Sequence, residues 1–471
     1  MIKTSKTTFA LMFGTRDVFP ASLIAGARKE MAKLLKNLGY GVLMIDENAT
    51  KYGAVQSPAQ GKVFANFLYE NKGKYDGVIV VLPNFGDENG GVVALEKVDV
   101  PVMVLAYSDE MDKMGPATRR DSYCGKFSML DVFCQYGIKF TTLKPHTVMP
   151  GSEACNANID YFAKVCRVVK GVRGMKIGAV GARVTPFKTV RIDEIALQKH
   201  GITVETYDLS YVFKKMKELD DKAIKKKLKT LTSLADFCPT PPQAQENIAR
   251  MGIVLDQLAE EEGLDAIALR CWFEIQDQWN ISPCVLMGEM NNRGLISSCE
   301  VDIGNAIMMS ALQNATSSPA AVLDWNNNYE DEDDKCILFH CGPVPMDMMI
   351  GKGTVTDHSM IALAVGEGKS YGPNQGRIKP GKFTFGSLLT KDGKLKAYLG
   401  EGEFTKDAIP EDFFGCAGVA HIEKLQDLLL HVCKNGHRHH VSVSMGHVIE
   451  PIAEALQNYL GFDIAIPQKQ I

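Results

Sequence analysis

The stretch Ser297–Asp324, SSCEVDIGNAIMMSALQNATSSPAAVLD, decides how we expect the chain to fold. Its middle, Ile303 to Leu312, is almost wholly apolar, which predicts a buried helix rather than a surface one. A Ser-Ser-Pro break then leads into a short apolar strand, Ala320 to Leu323, which we expect to stop at Asp324. Two carboxylates, Glu300 and Asp324, therefore bracket a buried helix–strand unit.

A carboxylate at either end of such a unit is costly unless a cation or a hydrogen-bond donor pairs with it. For Glu300 alone, a favourable charge at the N-terminus of the following helix is an equally good explanation. Two carboxylates at the two ends of one buried unit indicate more specifically a site for a cation.

Outside this stretch the sequence predicts an α/β fold, with two doubly wound α/β (Rossmann-like) domains followed by a C-terminal β-barrel-like domain. Before residue 173, continuous apolar runs such as GVIVVLP alternate with helical stretches, as in a parallel sheet covered on both faces. A second strand–turn–helix–strand unit begins at Met175, and its turn, G-A-V-G-A-R, lacks the third glycine of a dinucleotide-binding fingerprint. Short glycine-punctuated strands and the hairpin signal Lys391–Lys394, KDGK, predict the barrel.

These patterns divide the chain into three predicted domains. Residues 1–172 form an N-terminal α/β domain, and residues 173–345 form a second α/β domain that carries Glu300 and Asp324. Residues 346–471 form a C-terminal β-rich domain that carries His440.

Composition narrows the class of protein. The chain has 471 residues and a formal net charge of -4, so we expect no nucleic-acid partner and no anionic membrane partner. No apolar run reaches the roughly 18 residues of a membrane span, and the N-terminus lacks the long apolar run of a signal peptide. Its 12 cysteines are scattered without a C-x-x-C pair, which is typical of reduced thiols, and we expect a cytoplasmic protein.

Three residues, in order along the chain, carry a resemblance to a known family. Glu300 within CEVD and Asp324 within LDWN resemble the two metal-binding carboxylates of the L-fucose isomerase and L-arabinose isomerase superfamily. The separation between them is similar to that of the fucose isomerase-like branch, and His440 within HHVSVSMGH falls on that branch's metal-ligand histidine. The N-terminal third resembles the family only weakly.

The resemblance implies a metal-dependent aldose–ketose isomerase that acts on an L-fucose- or L-arabinose-like sugar by an enediol mechanism. Glu300 and Asp324 are then both metal ligands and the acid–base pair, and His440 completes the site. Oxygen and nitrogen ligands suit Mn²⁺ or another divalent metal ion. Cys299 and Cys341 make zinc conceivable, although neither has structural-zinc spacing. The family also implies a small-molecule sugar substrate and a homo-oligomer, a hexamer or a trimer-based assembly.

Two further residues are expected near the metal. His340 stands where the arabinose isomerase branch keeps an additional metal histidine, and a satisfied core histidine explains it equally well. His439 directly precedes His440, and successive strand residues face opposite ways, so both rings cannot point at one metal without a bulge. We expect His439 to contact substrate hydroxyls instead.

Arg16 and Trp272 are the remaining substrate-binding candidates. Arg16 follows the first strand, where fucose isomerases carry an arginine thought to reach a neighbouring subunit's substrate, although a solvated loop arginine explains it equally well. Trp272 lies in RCWFE, similar to an R-C-W-P-E motif of the superfamily. Trp272 either lines the sugar pocket or packs in the core. If it packs in the core, we expect Arg270 and Glu274 to form an internal ion pair.

Two other classes of protein fit the same residues. The ligand set could activate water or an enolate in a metal-dependent hydrolase or aldolase. A non-catalytic sugar-binding protein on the same fold would need no acid–base carboxylates.

Overall fold

The computed structural model describes residues 6–20 and 22–469, which divide into two compact units. One unit holds the residues up to Lys170 together with Glu454–Tyr459. The other holds Gly171–Ala453 and the residues from Leu460 onward. The N-terminal segment in which a signal peptide would lie includes residues 1–5, which are outside the described residues.

The first unit is built on a four-stranded parallel sheet with the order β2–β1–β3–β4. Every residue of the GVIVVL strand is buried, as expected for a central strand with helices over both faces. Helix ends are fixed locally, since Ser57 and Asp87 each accept a hydrogen bond from a backbone N–H of the helix they precede. The elements are β1 (Thr8–Phe13), α1 (Ser22–Asn37), β2 (Gly41–Leu43), α2 (Pro58–Glu70), β3 (Gly77–Leu82), α3 (Glu88–Leu95), β4 (Val102–Ala106), α4 (Ser122–Gln135) and α5 (Glu153–Val172).

A second four-stranded parallel sheet, with the order β6–β5–β7–β8, opens the other unit. Its last helix, α12, is the apolar helix that the sequence predicts, and most of its residues are buried. The elements are β5 (Lys176–Val180), α6 (Glu194–Gln198), β6 (Thr203–Tyr207), α7 (Leu209–Lys217), α8 (Asp221–Leu234), α9 (Pro242–Glu262), β7 (Ala266–Leu269), α10 (Glu274–Trp279), α11 (Cys284–Arg293), β8 (Ile296–Cys299) and α12 (Ile303–Thr316).

The remainder of this unit forms a mainly antiparallel sheet. Between its last helix and last strand, a π-helical turn covers Glu454–Tyr459, which belongs to the first unit. The elements are β9 (Ala320–Asn328), β10 (Lys335–His340), β11 (Thr354–Val355), α13 (Ser359–Val365), β12 (Asn374–Arg377), β13 (Gly381–Lys391), β14 (Lys394–Phe404), β15 (Cys416–His421), α14 (Leu425–Asn435), β16 (His440–Met445), α15 (Ile449–Ala453) and β17 (Asp463–Ala465).

Six of these strands close into a barrel. They follow the order β15–β10–β9–β16–β13–β14, and β14 pairs back onto β15. One apolar cluster drawn from all six strands fills the interior. The predicted hairpin joins β13 to β14, with Asp392 at φ 55° and Gly393 at φ 69°, the left-handed pair that a tight two-residue turn requires. The predicted fold class, two parallel α/β sheets followed by a barrel, is confirmed.

The barrel begins earlier in the chain than the sequence suggests. Strand β9 does not stop at Asp324 but runs to Asn328, because Trp325 to Asn328 continue the pairing with β10. Asp324 and His340 therefore lie on barrel strands, whereas we expected them beside the second parallel sheet. The division into three domains stays a prediction.

None of the helices in the described part of the chain is long and apolar enough to cross a membrane. The two longest, α5 with 20 residues and α9 with 21, carry charged residues along their length.

Candidate active site

Glu300, Asp324 and His440 come together between the second parallel sheet and the barrel, within one unit. His440 Nε2 lies 2.9 Å from Glu300 Oε2 and 3.5 Å from Asp324 Oδ1. His340 joins them, since one ligand atom each from Glu300, His340 and His440 lie within 4.8 Å of one another. Residues from three distant parts of the sequence thus share one small region.

Glu300 is held at the carboxyl end of the parallel sheet, directly after β8. It has a φ of 59°, and the next residue, Val301, has the same value. Left-handed backbone costs a non-glycine residue about 1–2 kcal/mol, so the surrounding packing must hold this turn. The turn places Glu300 next to the N-terminus of α12, where the helix dipole favours a carboxylate.

Asp324 and His440 are direct cross-strand partners in the antiparallel pair β9–β16. Partners in such a pair point to the same face of the sheet, so their side chains meet. The neighbouring residues Leu323 and Val441 point the other way, into the apolar interior of the barrel. The alternation along each strand therefore places both site residues on the outer face of the barrel.

Asp302 and Arg438 form a buried ion pair that holds His440 in place. Asp302 Oδ2 accepts a hydrogen bond of 2.8 Å from His440 Nδ1, and its Oδ1 forms an ion pair with Arg438 Nη1. Asp302 also caps α12 by accepting from the backbone N–H of Asn305 at 3.0 Å. With Nδ1 donating to Asp302, His440 keeps an unprotonated Nε2 whenever the ring is neutral, as a metal ligand must.

The three buried ionisable groups shift one another's pKa values. Burial acts to raise the pKa of Glu300, but contact with His440 outweighs it, and the pKa lies below its usual value. The pKa of Asp302 is likewise lowered, because Arg438 and His440 outweigh the effect of burial. The pKa of His440 is raised well above its usual value, since contacts with Asp302 and Glu300 outweigh burial. Both carboxyl groups are therefore negatively charged near neutral pH.

Three buried polar atoms of these residues lack a hydrogen-bond partner among the described residues: Asp324 Oδ1, His340 Nε2 and His440 Nε2. His440 Nε2 is close to Glu300 Oε2, but its direction does not satisfy a hydrogen bond. Buried polar atoms are rarely left unpaired, so several in one small region indicate a site that binds a ligand. The residues present fit a divalent cation with two carboxylate ligands and imidazole nitrogen.

His340 differs from His440 in its tautomer. The backbone N–H of Cys341 donates to His340 Nδ1 at 2.9 Å, so a neutral ring must carry its proton on Nε2. In this arrangement Nε2 is a hydrogen-bond donor and not a ligand atom. His340 is buried, yet its ring presents a donor towards the site.

His439 reaches the site alongside its neighbour. It lies immediately before β16 and not within it, so strand alternation does not turn it away, and its Nε2 is 3.8 Å from Asp324 Oδ1. One ligand atom each from Asp324, His439 and His440 lie within 4.8 Å of one another. Strand alternation therefore does not keep the two rings apart as expected, whereas the contact of His439 with substrate hydroxyls stays a prediction. Nearly half of the His439 side chain is exposed, which leaves it accessible to a substrate.

Trp272 forms one wall of the site. Its indole Nε1 donates to Glu300 Oε1 at 3.2 Å, and its ring packs edge-on against Phe187 with centroids 5.3 Å apart. Phe187 also contacts the rings of His439 and His440, at 5.8 and 6.1 Å. Phe187 could not be selected from the sequence, because a lone aromatic residue in a loop belongs to no recognisable pattern.

Arg270 and Arg16 both have carboxylate partners. Arg270 forms a two-pronged ion pair with Glu274, with contacts of 2.5 and 2.6 Å. Arg16, in the other unit, pairs with Glu88 and lies 4.2 Å from the centre of the Phe85 ring. Whether Arg16 reaches a neighbouring subunit's substrate stays a prediction.

Family models match both ends of the chain. Residues 10–173 match the N-terminal domain of fucose/sulfoquinovose isomerase, and residues 338–467 match the L-fucose isomerase C-terminal domain. The chain belongs to the fucose isomerase family. The first match covers the third of the sequence in which the resemblance was weakest, and the second covers the strands that carry His340 and His440.

Sequence identity to individual relatives is low. Sulfoquinovose isomerase from Priestia aryabhattai is 25% identical over 59% of this chain and 61% of the relative. Its counterpart from Alkalicoccus urumqiensis is 22% identical over the same shares. The chain thus spans about three fifths of the length of these curated relatives. A solved glycosyltransferase, SnogD from Streptomyces nogalater, matches 66% of this chain and 94% of its own with a TM-score of 0.14 and 10% identity, too weak to inform the fold.

Proposed function

We propose that the protein is a metal-dependent aldose–ketose isomerase whose substrate is sulfoquinovose, a glucose derivative with a sulfonate in place of the C6 hydroxyl. The closeness of Glu300, Asp324 and His440, with Asp324 Oδ1 and His440 Nε2 buried and unpaired among the described residues, supports the chemistry. The names of the relatives support the substrate. An L-fucose- or L-arabinose-like sugar remains the alternative substrate.

Glu300, Asp324 and His440 would hold the metal ion, and Mn²⁺ suits this set of oxygen and nitrogen atoms. A bound divalent cation supplies stabilisation of the negative charge that develops on O1 and O2 of the open-chain sugar. Asp302 keeps His440 in the tautomer that binding requires. Trp272 fixes the other oxygen of Glu300, so that the carboxylate is positioned before the substrate arrives.

The two carboxylates then move the proton. Isomerisation removes the hydrogen at C2 of the aldose and returns it to C1, through an enediol. A low pKa makes Glu300 a weak base, so the substrate's C–H bond must be acidified for the transfer to proceed. We assign Glu300 and Asp324 as the acid–base pair, and His439, exposed beside them, as a contact for sugar hydroxyls.

His340 is proposed as a hydrogen-bond donor to a sugar oxygen rather than as a ligand. We therefore expect His340→Gln, which retains a donor, to leave Mn²⁺ affinity within about threefold, well below the 10–100-fold loss typical for a disturbed metal site. His340→Leu removes the donor and should lower kcat/KM about tenfold, the value of one ordinary hydrogen bond. Calorimetric Mn²⁺ titration and initial rates measure both, with His421→Gln, at an exposed histidine, as the control. A hundredfold loss of Mn²⁺ affinity in His340→Gln would make His340 a ligand.

A cationic loop beside the site supports an anionic sugar. Phe187, which packs on the site's rings, is flanked by Arg183, Lys188 and Arg191. No carboxylate lies within ion-pair distance of these three in the described part of the chain; both arginines donate to backbone carbonyls of their own loop. The next acid, Asp193, is engaged as the cap of α6. A sulfonate on the substrate would supply the missing negative charge.

Lys188→Ala tests this loop. We expect KM for sulfoquinovose to rise about tenfold or more, the usual value of a hydrogen bond to a charged group, because the sulfonate loses a cation. KM for 6-deoxyglucose, which carries a methyl group at C6, should not change. Lys406→Ala, at an exposed lysine between β14 and β15, is the matched control. An equal effect on both sugars would show that Lys188 does not recognise the sulfonate.

Ketose formation tests the function as a whole. The purified chain with Mn²⁺ should convert sulfoquinovose to its ketose, and in D₂O the product should carry deuterium at C1, as proton transfer through an enediol requires. Release of shorter fragments would indicate an aldolase, and release of an aglycone or a hydrolysis product would indicate a hydrolase. Sugar binding with no turnover, in the presence of metal, would favour a non-catalytic sugar-binding protein.

The family resemblance implies that the protein forms a homo-oligomer and that Arg16 reaches a neighbouring subunit's site, and we propose both. Light scattering of the purified chain measures the first, and mixing Arg16→Ala with Glu300→Gln chains tests the second by complementation of activity.

A further inference from the structure

A pair of thiols lies next to Glu300. Cys299 is the last residue of β8, and Cys271 follows the end of the neighbouring strand β7 by two residues. Their sulfur atoms are 3.2 Å apart, and both residues are buried. One carboxylate oxygen of Glu300 and the two sulfurs lie within 4.8 Å of one another.

The surroundings of this pair are rich in sulfur. Cys284 is buried and Cys341 is half-buried, and the charge of Glu300 acts on both thiols. Burial raises the pKa of the Cys284 thiol well above its usual value, and Cys271 and Glu300 raise it further. Four cysteine side chains thus interact with one another or with Glu300.

We propose that Cys271, Cys299 and Glu300 form a second metal site, which binds a thiophilic divalent cation such as Zn²⁺ or Cd²⁺. Two sulfurs and one oxygen, close together and removed from water, form the ligand set that soft or borderline cations prefer. Mn²⁺ favours oxygen and nitrogen, so the set with the two thiols and the set with the histidines select different ions. The binding site stands on geometry alone, whereas its effect on catalysis rests on the proposed function.

Binding at this site requires no redox step. The cation forms bonds to both sulfurs and to one oxygen of Glu300, and each thiol releases its proton to solvent. The two positive charges of the cation thus meet two thiolates and one carboxylate, leaving a net charge of -1. Because Glu300 cannot serve both ions fully, the thiophilic cation withdraws it from His440 and Asp324 and stops isomerisation.

Absorption spectroscopy tests the site with Cd²⁺ alone as the probe. The wild-type chain should take up one Cd²⁺ with the ultraviolet charge-transfer band of cadmium–thiolate bonds. Cys271→Ser and Cys299→Ser should each lose at least half of that band and bind Cd²⁺ at least tenfold more weakly. Cys238→Ser, at an exposed cysteine, is the control and should keep the band. A full band in both buried variants, or its loss in the control, would overturn the proposal.

A second measurement needs no variant and so does not depend on whether a serine is tolerated in the core. Crystals of the wild-type chain soaked in Cd²⁺ should show anomalous density bonded to both sulfurs. Density only at exposed cysteines would contradict the site. The third readout is activity, where Cd²⁺ should inhibit the wild type and Cys238→Ser at least tenfold more strongly than Cys299→Ser. If no sugar is isomerised, the spectroscopic and crystallographic results still decide whether the metal site exists.

Discussion

Replacing Glu300 with Gln is expected to lower kcat by about 10²–10⁴-fold, the usual contribution of a positioned acid or base. The substitution keeps the side-chain volume and still offers an oxygen to the indole N–H of Trp272, 3.2 Å away in the wild type. What it removes is the negative charge and the ability to accept a proton. Ketose formation and deuterium incorporation at C1 measure the loss, and Mn²⁺ titration should still detect weakened binding through Asp324 and His440.

Glu274→Gln is the matched control. Glu274 is a carboxylate in the preceding helix α10, and its partner is Arg270 rather than a histidine of the site. Its replacement should change kcat by less than about threefold, since exposed ion pairs contribute little. Full activity in Glu300→Gln would remove Glu300 from the reaction and leave it with a structural role only.

Replacing Asp302 with Asn is expected to have the largest effect on stability. Asp302 and Arg438 are both almost fully buried, and removal of one partner of a buried ion pair costs about 3–5 kcal/mol. The same change weakens the anchor of His440 Nδ1, which should lower Mn²⁺ affinity about 10–100-fold. Urea unfolding of the metal-free chain and calorimetric Mn²⁺ titration measure the two effects separately.

Asp193→Asn controls for the helix cap. Asp193 also caps a helix, α6, but it lies in an exposed turn without a buried arginine. Its replacement should cost no more than about 1 kcal/mol and leave Mn²⁺ affinity unchanged. If Asp302→Asn is equally mild, Asp302 acts only as a cap and His440 is oriented by other contacts.

The parallel sheets could be predicted because their strands are buried on both faces. A run such as Gly77–Leu82, GVIVVL, is continuous and apolar, and few other structures explain it. The start of the barrel could not be predicted in the same way. Residues 325–328, WNNN, are polar enough to look like a loop, yet backbone pairing with β10 extends β9 to Asn328. Hydrogen bonding between strands distant in sequence leaves little trace in composition.

Among the site residues, Glu300, Asp324 and His440 were found from the spacing that the family shares, and the structure brings them together. Asp302 and Arg438 were not selected, although a signal for Asp302 existed. It stands directly before an almost wholly apolar helix, where a capping aspartate is expected. It is also too close to Glu300 for both carboxylates to be explained by capping alone. Nothing in the sequence indicated Arg438, because its partner is 136 residues away.

The direct pairing of Asp324 with His440 limits which changes of sequence the site can accept. Because both residues belong to strands of a closed barrel, neither can move along its strand without shifting every neighbour to the wrong side. The connections that leave these strands, including Tyr329–Asp334, are under no such restriction. Insertions and deletions there leave Asp324 opposite His440.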